Sequence, residues 1–383
     1  MKKMLALVAT VLVMSATTAL AAAPAAPVFN APVKIADGKI RNPNNKVAVD
    51  GNNVYLAYED FTLGSYSTPF HVGKSANSGA TWGLSAIPDS SSAGIANITR
   101  VAVGIDPVYS GLKIVHTVWI NEARDLMYSY FATRPGQTGW STPVRINGSY
   151  LPQEELDIVV TSNGAIHVLV DNYYTTASSP DSAFTEPVAL PAAGVGSIVK
   201  DSKNNLYVAL SDRANIRLTK KAAGSSTWST PVTVTAAGTD ISGYIGLAVV
   251  DTNTYYIGYG DNTTAGVKLA VTTNGGTSWT RRAVPLTTNG DVAIATTSTK
   301  VVTLVASTGV GADGYANIIK VVRTNDNGAT WSQPVTIQAD GDPIVTLDAN
   351  NKAMIIGRDG QQGQDWSGVR TNANANIVFI KEK

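Results

Sequence analysis

The residues able to do chemistry fall at two kinds of place in the chain. One set follows short apolar segments of period two: Asp60, Asn121, Asn172, Asp212, Asp261, Ser307 and Asp359. Glu59, Glu122, Asp171, Arg213 and Arg358 flank them. A second set precedes neighbouring apolar segments: Arg41, Arg100, Glu154, Glu155, Asp157, Asp240, Tyr244, Asp291 and Asp342. If both sets share one face, acids, amides and arginines ring a funnel and form a binding surface. The simpler account is that polar residues end strands in water. Loops on a rigid scaffold are where function concentrates, but every β protein has polar strand ends.

Other chemistries lack their residues. There is no cysteine, so neither a disulfide nor a thiolate zinc site can form. The three histidines, His71, His116 and His167, show no His-Glu-x-x-His spacing. His116 and His167 align with Tyr55, Tyr207 and Tyr256, and a position that accepts both Tyr and His reads as packing. No Gly-x-Ser-x-Gly elbow marks a serine hydrolase. The net charge of +1, without a long charge run, gives nucleic acid or an acidic membrane nothing to hold. No cofactor and no metal is implied, and the chain is expected to be a monomer.

The elements that would position these residues are repeated. Trp140-Ser141-Thr142-Pro143-Val144 returns at Trp228 to Val232, at Trp331 to Val335, and more weakly at Phe184 to Val188. Proline removes a ladder donor, so these strands should lie at sheet edges. The aromatic residues Trp82, Trp140, Phe184, Trp228, Trp279 and Trp331 stand 58, 44, 44, 51 and 52 residues apart. That interval suits one four-stranded propeller blade per repeat, near ~40–50 residues. Phe29 to Ile35 is a seventh, N-terminal copy of the outer strand. Ala375 to Lys381 resembles Ala316 to Val321, the strand before the best-formed turn. The expectation is therefore an all-β, seven-bladed propeller of four-stranded antiparallel blades. The N-terminal strand should close the ring on the C-terminal blade and leave no open edge. Seven second strands, ending at Asp60, Asn121, Asn172, Asp212, Asp261, Ser307 and Asp359, give the same count.

Three turns connect these strands in one pattern: residues 75–82 (Ser-Ala-Asn-Ser-Gly-Ala-Thr-Trp), 272–279 (Thr-Thr-Asn-Gly-Gly-Thr-Ser-Trp) and 324–331 (Thr-Asn-Asp-Asn-Gly-Ala-Thr-Trp). An Asx side chain can accept backbone N–H groups, glycine supplies a positive φ, and Trp opens the next strand as an apolar anchor. These turns resemble the Asp-box, or BNR repeat, of the sialidase-like β-propellers. In that superfamily the Asp-box turns lie opposite the binding face. Ile40-Arg41-Asn42-Pro43 is similar to the Arg-x-Pro entry motif of sialidases. By that resemblance Arg41 would hold a substrate carboxylate in two bonds. Arg100 and Arg358 would be its partners and Asp60 the acid/base. Ile40 and Asn42 depart from that motif, and no nucleophilic Tyr with its Glu is identifiable. The resemblance thus implies a non-catalytic module binding a glycan or an envelope protein. Its alternative is an exo-glycosidase of sialidase type acting on terminal sialic-acid-like sugars. The binding surface would comprise Arg41, Glu59, Asp60, Arg100, Asn121, Glu122, Asp171, Asp212, Arg213, Asp261, Arg358 and Asp359. Some seven-bladed Asp-box propellers help assemble membrane complexes through arginine-rich patches, and 29 Lys and Arg in 383 residues fit that poorly.

Lys2-Lys3, the apolar run Met4 to Met14 and Ala19-Leu20-Ala21 read as a secretory signal over residues 1–21. The run is short of the ~20 residues of a membrane span. Residues 22–383 would then be one domain, periplasmic or extracellular, with no membrane insertion after cleavage. Without cysteine, the exported core must supply its own stability.

Overall fold

The computed structural model describes residues 22–37, 47–59, 68–92, 99–109, 111–121, 123–152, 155–287, 290–308, 318–359, 363–364, 370–371 and 376–383. The signal segment 1–21 and the candidates Arg41, Asp60, Glu122 and Glu154 lie outside them. The described residues form strands and turns with no helix. They build seven antiparallel blades, as the repeat count requires.

Blade one runs Val47–Asp50, Asn53–Glu59, Thr68–Ser75 and Gly83–Ser92 from axis to rim. Blade two begins with Thr99–Ile105, Lys113–Ile120 and Leu126–Arg134; its outer strand is split into Gln137–Trp140 and Val144–Arg145. Blades three, four and five begin at Leu156, Val195 and Ile241. The short outer strands Val144–Arg145, Val188–Ala189 and Val232–Thr233 follow directly on prolines and sit at blade edges.

Burial on both faces explains why these strands belong inside a ring. Along Lys113–Ile120 alternate residues point to opposite faces. Ile114, Val118 and Ile120 pack with Leu156, Ile158 and Val160 of blade three. Val115 and Trp119 pack with Tyr55, Ala57 and Val72 of blade one. Blade five repeats the arrangement, with Tyr256 facing blade six and Tyr255, Ile257 and Tyr259 facing blade four. At ~25 cal/mol per Å2 of apolar area buried, this double-sided packing is the main stabilising term.

The ring closes as expected. Val33–Asp37 pairs antiparallel with Asn376–Lys381, Val33 opposite Phe379 and Lys34 opposite Val378. Asn30 N donates to Lys381 O at 2.9 Å, and Lys383 N to Val28 O at 2.8 Å. Trp82 of blade one meets the Phe379 ring edge-on at 5.5 Å. A bidentate pair fixes the C-terminus: Arg323 donates to Glu382 Oε1 at 2.8 Å and to Oε2 at 2.7 Å.

Two features lie beyond the sequence reading. The outer strand of blade six continues as the inner strand of blade seven in one segment, Val335–Leu347, with a register break between Asp340 and Ile344. Blades six and seven are therefore one seven-stranded sheet. Gly363–Gln364 and Arg370–Thr371 pair as a small extra ladder between the second and third strands of blade seven.

The three matching turns fold alike. Ser75, Thr272 and Thr324 each accept the N–H of the glycine four residues on, at 2.8, 3.0 and 2.9 Å. Asn77, Asn274 and Asp326 accept the N–H of Thr81, Ser278 and Thr330 at 2.9, 3.0 and 2.9 Å. Gly79, Gly276 and Gly328 have φ of 89°, 88° and 80°. Glycine is also required sterically at Gly79, where a Cβ would stand 1.9 Å from Phe379. Trp331 lies in the exit of its turn, four residues before the strand that begins at Val335, rather than opening that strand. Asp326 and its counterparts thus serve their turns.

Candidate axial binding site

The starts of the inner strands and the ends of the second strands meet at one end of the axis. A cavity of about 150 Å3 lies there among the inner strands of blades two to seven. Its polar side is built from adjacent blades. Arg100 is the second residue of the inner strand of blade two, and Glu155 immediately precedes that of blade three. Arg100 Nη2 donates to Glu155 Oε1 at 2.8 Å, and its Nη1 to the Thr99 carbonyl at 2.9 Å. Both residues are buried, Arg100 at 3% and Glu155 at 6% exposure.

Two aspartates frame the pair. Asp171 Oδ1 accepts the Glu155 N–H at 2.9 Å, and its Oδ2 accepts the Tyr150 hydroxyl at 2.6 Å. The Tyr150 ring stacks on Tyr173 at 3.9 Å. Asp157 bridges blades three and four: its Oδ2 accepts Ser197 Oγ at 3.0 Å and Ile198 N at 2.8 Å. Burial pushes the Glu155 carboxyl up to about 7; the Arg100 charge opposes the rise, and Asp157 and Asp171 add to it. Leu247, Ile294 and Ile344 face this polar side across the cavity.

The structure thus brings together two of the sequence candidates, Arg100 and Asp171, through Glu155. Glu155 and Asp157 were legible as polar residues at the start of an inner strand, but nothing in their spacing singled them out as partners of Arg100. Other candidates serve their own turns. Asn121 Oδ1 accepts Asp125 N at 2.8 Å. Asp212 Oδ1 accepts Ala214 N and Asn215 N, and its Oδ2 pairs with Arg217. Asp261 accepts Thr263 N at 3.0 Å and Thr264 Oγ1 at 2.9 Å. Arg213 takes a left-handed φ of 69° in the same turn as Asp212. Glu59, Arg358 and Asp359 end second strands, paired with Phe70, Ile377 and Asn376; their side chains lie outside the description, as do Arg41, Asp60 and Glu122.

The histidines pack, as their alignment with tyrosine suggests. His116 Nδ1 bonds the Tyr128 hydroxyl at 2.8 Å, and burial pulls its pKa down to about 3. His167 Nδ1 bonds Tyr174 at 2.7 Å, and burial, with Lys221, lowers its pKa to about 4. Both are neutral at pH 7. Among the described residues no group of three or more His, Asp or Glu is arranged to hold a metal ion.

No family model matches the chain, and no curated protein matches its sequence. Solved structures match it in fold. An ulvan lyase of a polysaccharide lyase family superposes with a TM-score of 0.62 at 10% identity, over 91% of this chain and 95% of that one. Virginiamycin B lyase from Staphylococcus aureus gives 0.56 at 12%, over 93% and 100%. YCF48 from Cyanidioschyzon merolae gives 0.53 at 15%, over 92% and 98%. In fold the chain is a seven-bladed β-propeller, and at these identities the likeness extends to the fold alone.

Proposed function

We propose that the chain is an exported binding propeller. It holds a glycan or an extracytoplasmic protein partner at the axial end where Arg100, Glu155 and Asp171 meet, and it does not hydrolyse glycosides. The observation that carries this reading is the state of Arg100. An arginine that clamps a substrate carboxylate must turn both prongs of its fork to the ligand. Arg100 is buried and gives one nitrogen to Glu155 and another to the Thr99 carbonyl. Freeing it would leave Glu155 as an unpaired buried charge, which costs about 3–5 kcal/mol.

Two structural neighbours support a binding role. One structure of YCF48 holds a D1 peptide, and one of the ulvan lyase holds a glucuronate–rhamnose sulfate glycan. Export rests on residues 1–21, and mass spectrometry of the mature chain should find its N-terminus at Ala22. Affinity capture by the mature chain from the exported proteins and glycans of its own source should return a partner, and a fluorogenic sialoside should not be turned over. Turnover of the sialoside with no captured partner would overturn the proposal.

A further inference from the structure

The axial cavity has two unlike walls. On one side stand Arg100, Glu155 and Asp157; on the other stand Leu247, Ile294 and Ile344. Its volume of about 150 Å3 leaves room for one small group.

Among the described residues the polar wall carries more negative charge than positive. Among the described residues Arg100 is the only cation on it, against the carboxylates of Glu155 and Asp157, with Asp171 behind Glu155. Almost every carboxylate oxygen is occupied. Asp157 accepts from Ile158 N, Ser197 Oγ and Ile198 N. Asp171 accepts from Glu155 N and Tyr150. Glu155 gives Oε1 to Arg100, and its Oε2 has no hydrogen-bond partner among the described residues. The residue is more than nine-tenths buried and lines the cavity, so this oxygen has little but the cavity to bond. The elevated proton affinity of Glu155, raised first by burial, fits a carboxylate short of one cationic partner.

We propose that this cavity receives an alkylammonium group, the end of a lysine side chain presented by a protein partner. The ammonium donates to Glu155 Oε2, and the methylene stem lies against Leu247, Ile294 and Ile344. The identity of the group comes from the walls. A carboxylate or sulfate would meet the excess of negative charge. A guanidinium fork needs two acceptors side by side, and one oxygen is open. A sugar hydroxyl facing the aliphatic wall would lose its hydrogen bonds to water without replacement. An ammonium on a methylene stem matches both walls. The inference rests on the axial end being the binding end, and it selects protein over glycan as the partner.

The test uses the whole mature chain and three probes of one size: n-butylammonium, n-butanol and butyrate, titrated at pH 8 by calorimetry or NMR. A charge-assisted hydrogen bond of about 1.5–3 kcal/mol corresponds to a preference of about tenfold or more. Butylammonium should therefore bind about tenfold tighter than butanol, and butyrate weakest. Glu155→Gln should remove that preference. The comparison on the unaltered chain needs no variant, so a folding defect in Glu155→Gln cannot obscure it. Equal binding of butanol and butylammonium, tighter binding of butyrate, or no butylammonium binding at concentrations of about 50 mM would each overturn the inference. A captured glycan or protein alongside any of these results would leave the binding role standing and remove only the lysine.

Discussion

Replacing Glu155 by glutamine removes one proton-binding group and keeps the shape that accepts the Arg100 hydrogen bond. The carboxyl has an ordinary value of 4.5 and is pushed up to about 7 in the folded chain, first by burial and then by Asp157 and Asp171. Between those two values the folded state binds the proton and the unfolded state does not. Stability from this group is therefore fully present below pH ~4.5, falls as pH rises toward ~7, and stays at its lower level above. The interval from 4.5 to about 7, at ~1.36 kcal/mol for each pH unit, gives a loss of about 3 kcal/mol across the window. Glutamine has no such slope. The difference in unfolding free energy, wild type minus Glu155→Gln, should fall by about 3 kcal/mol from pH 4.5 to pH 8. Urea unfolding followed by tryptophan fluorescence at several pH values measures it, with both proteins at each pH. His116 and His167, held neutral by burial, lose stability toward acid in both proteins and cancel in the difference. A difference flat to within about 0.5 kcal/mol over that range would refute the account of Glu155 as a buried, under-compensated acid.

Thr324→Val takes the acceptor from the buried Gly328 N–H and should cost about 1–3 kcal/mol in the same denaturation assay. Gly79→Ala and Gly328→Ala both place a Cβ at positive φ, but the first drives it to 1.9 Å from Phe379, whereas the second meets Leu269 at 3.2 Å. Gly79→Ala should therefore be the more destabilising by about 1–3 kcal/mol, the cost of overpacking; equal midpoints would count against the packing of this turn on blade seven. Glu382→Gln weakens the bidentate pair with Arg323 and the contact with Ala353 N. A loss of about 3–5 kcal/mol is expected, as for breaking a largely buried pair, and an unchanged melting temperature would contradict it. Removing residues 22–37 strips the strand that covers Asn376–Lys381 and exposes a sheet edge. Size-exclusion chromatography should then show aggregates or dimers, whereas a stable monomer would mean that the ring does not need its closing strand.

The seven blades, their second strands, the edge position of the proline-led strands and the pairing of the two ends were legible in the sequence. Each depends on a local signal: alternation of apolar residues, a turn with its Asx and glycine, or a proline that removes a donor. Ser75, Thr272 and Thr324 bond glycines four residues away, so their turns form from short segments. The packing role of His116 and His167 was legible too, because the repeat placed them beside tyrosines. The fusion of blades six and seven along Val335–Leu347 was not, since no turn signal is needed where a strand simply bends at Asp340 to Ile344. The site was the least legible part. Asn121, Asp212 and Asp261 look like mouth residues by spacing, yet their oxygens are taken by N–H groups two to four residues on. Arg100 and Glu155 stand 55 residues apart and meet only because blades two and three lie side by side. The proton affinity of a carboxyl depends on the water and charge around it, and here that environment is assembled from several blades. The sequence by itself determined the scaffold; the tertiary structure decided which acid is buried and which cation answers it.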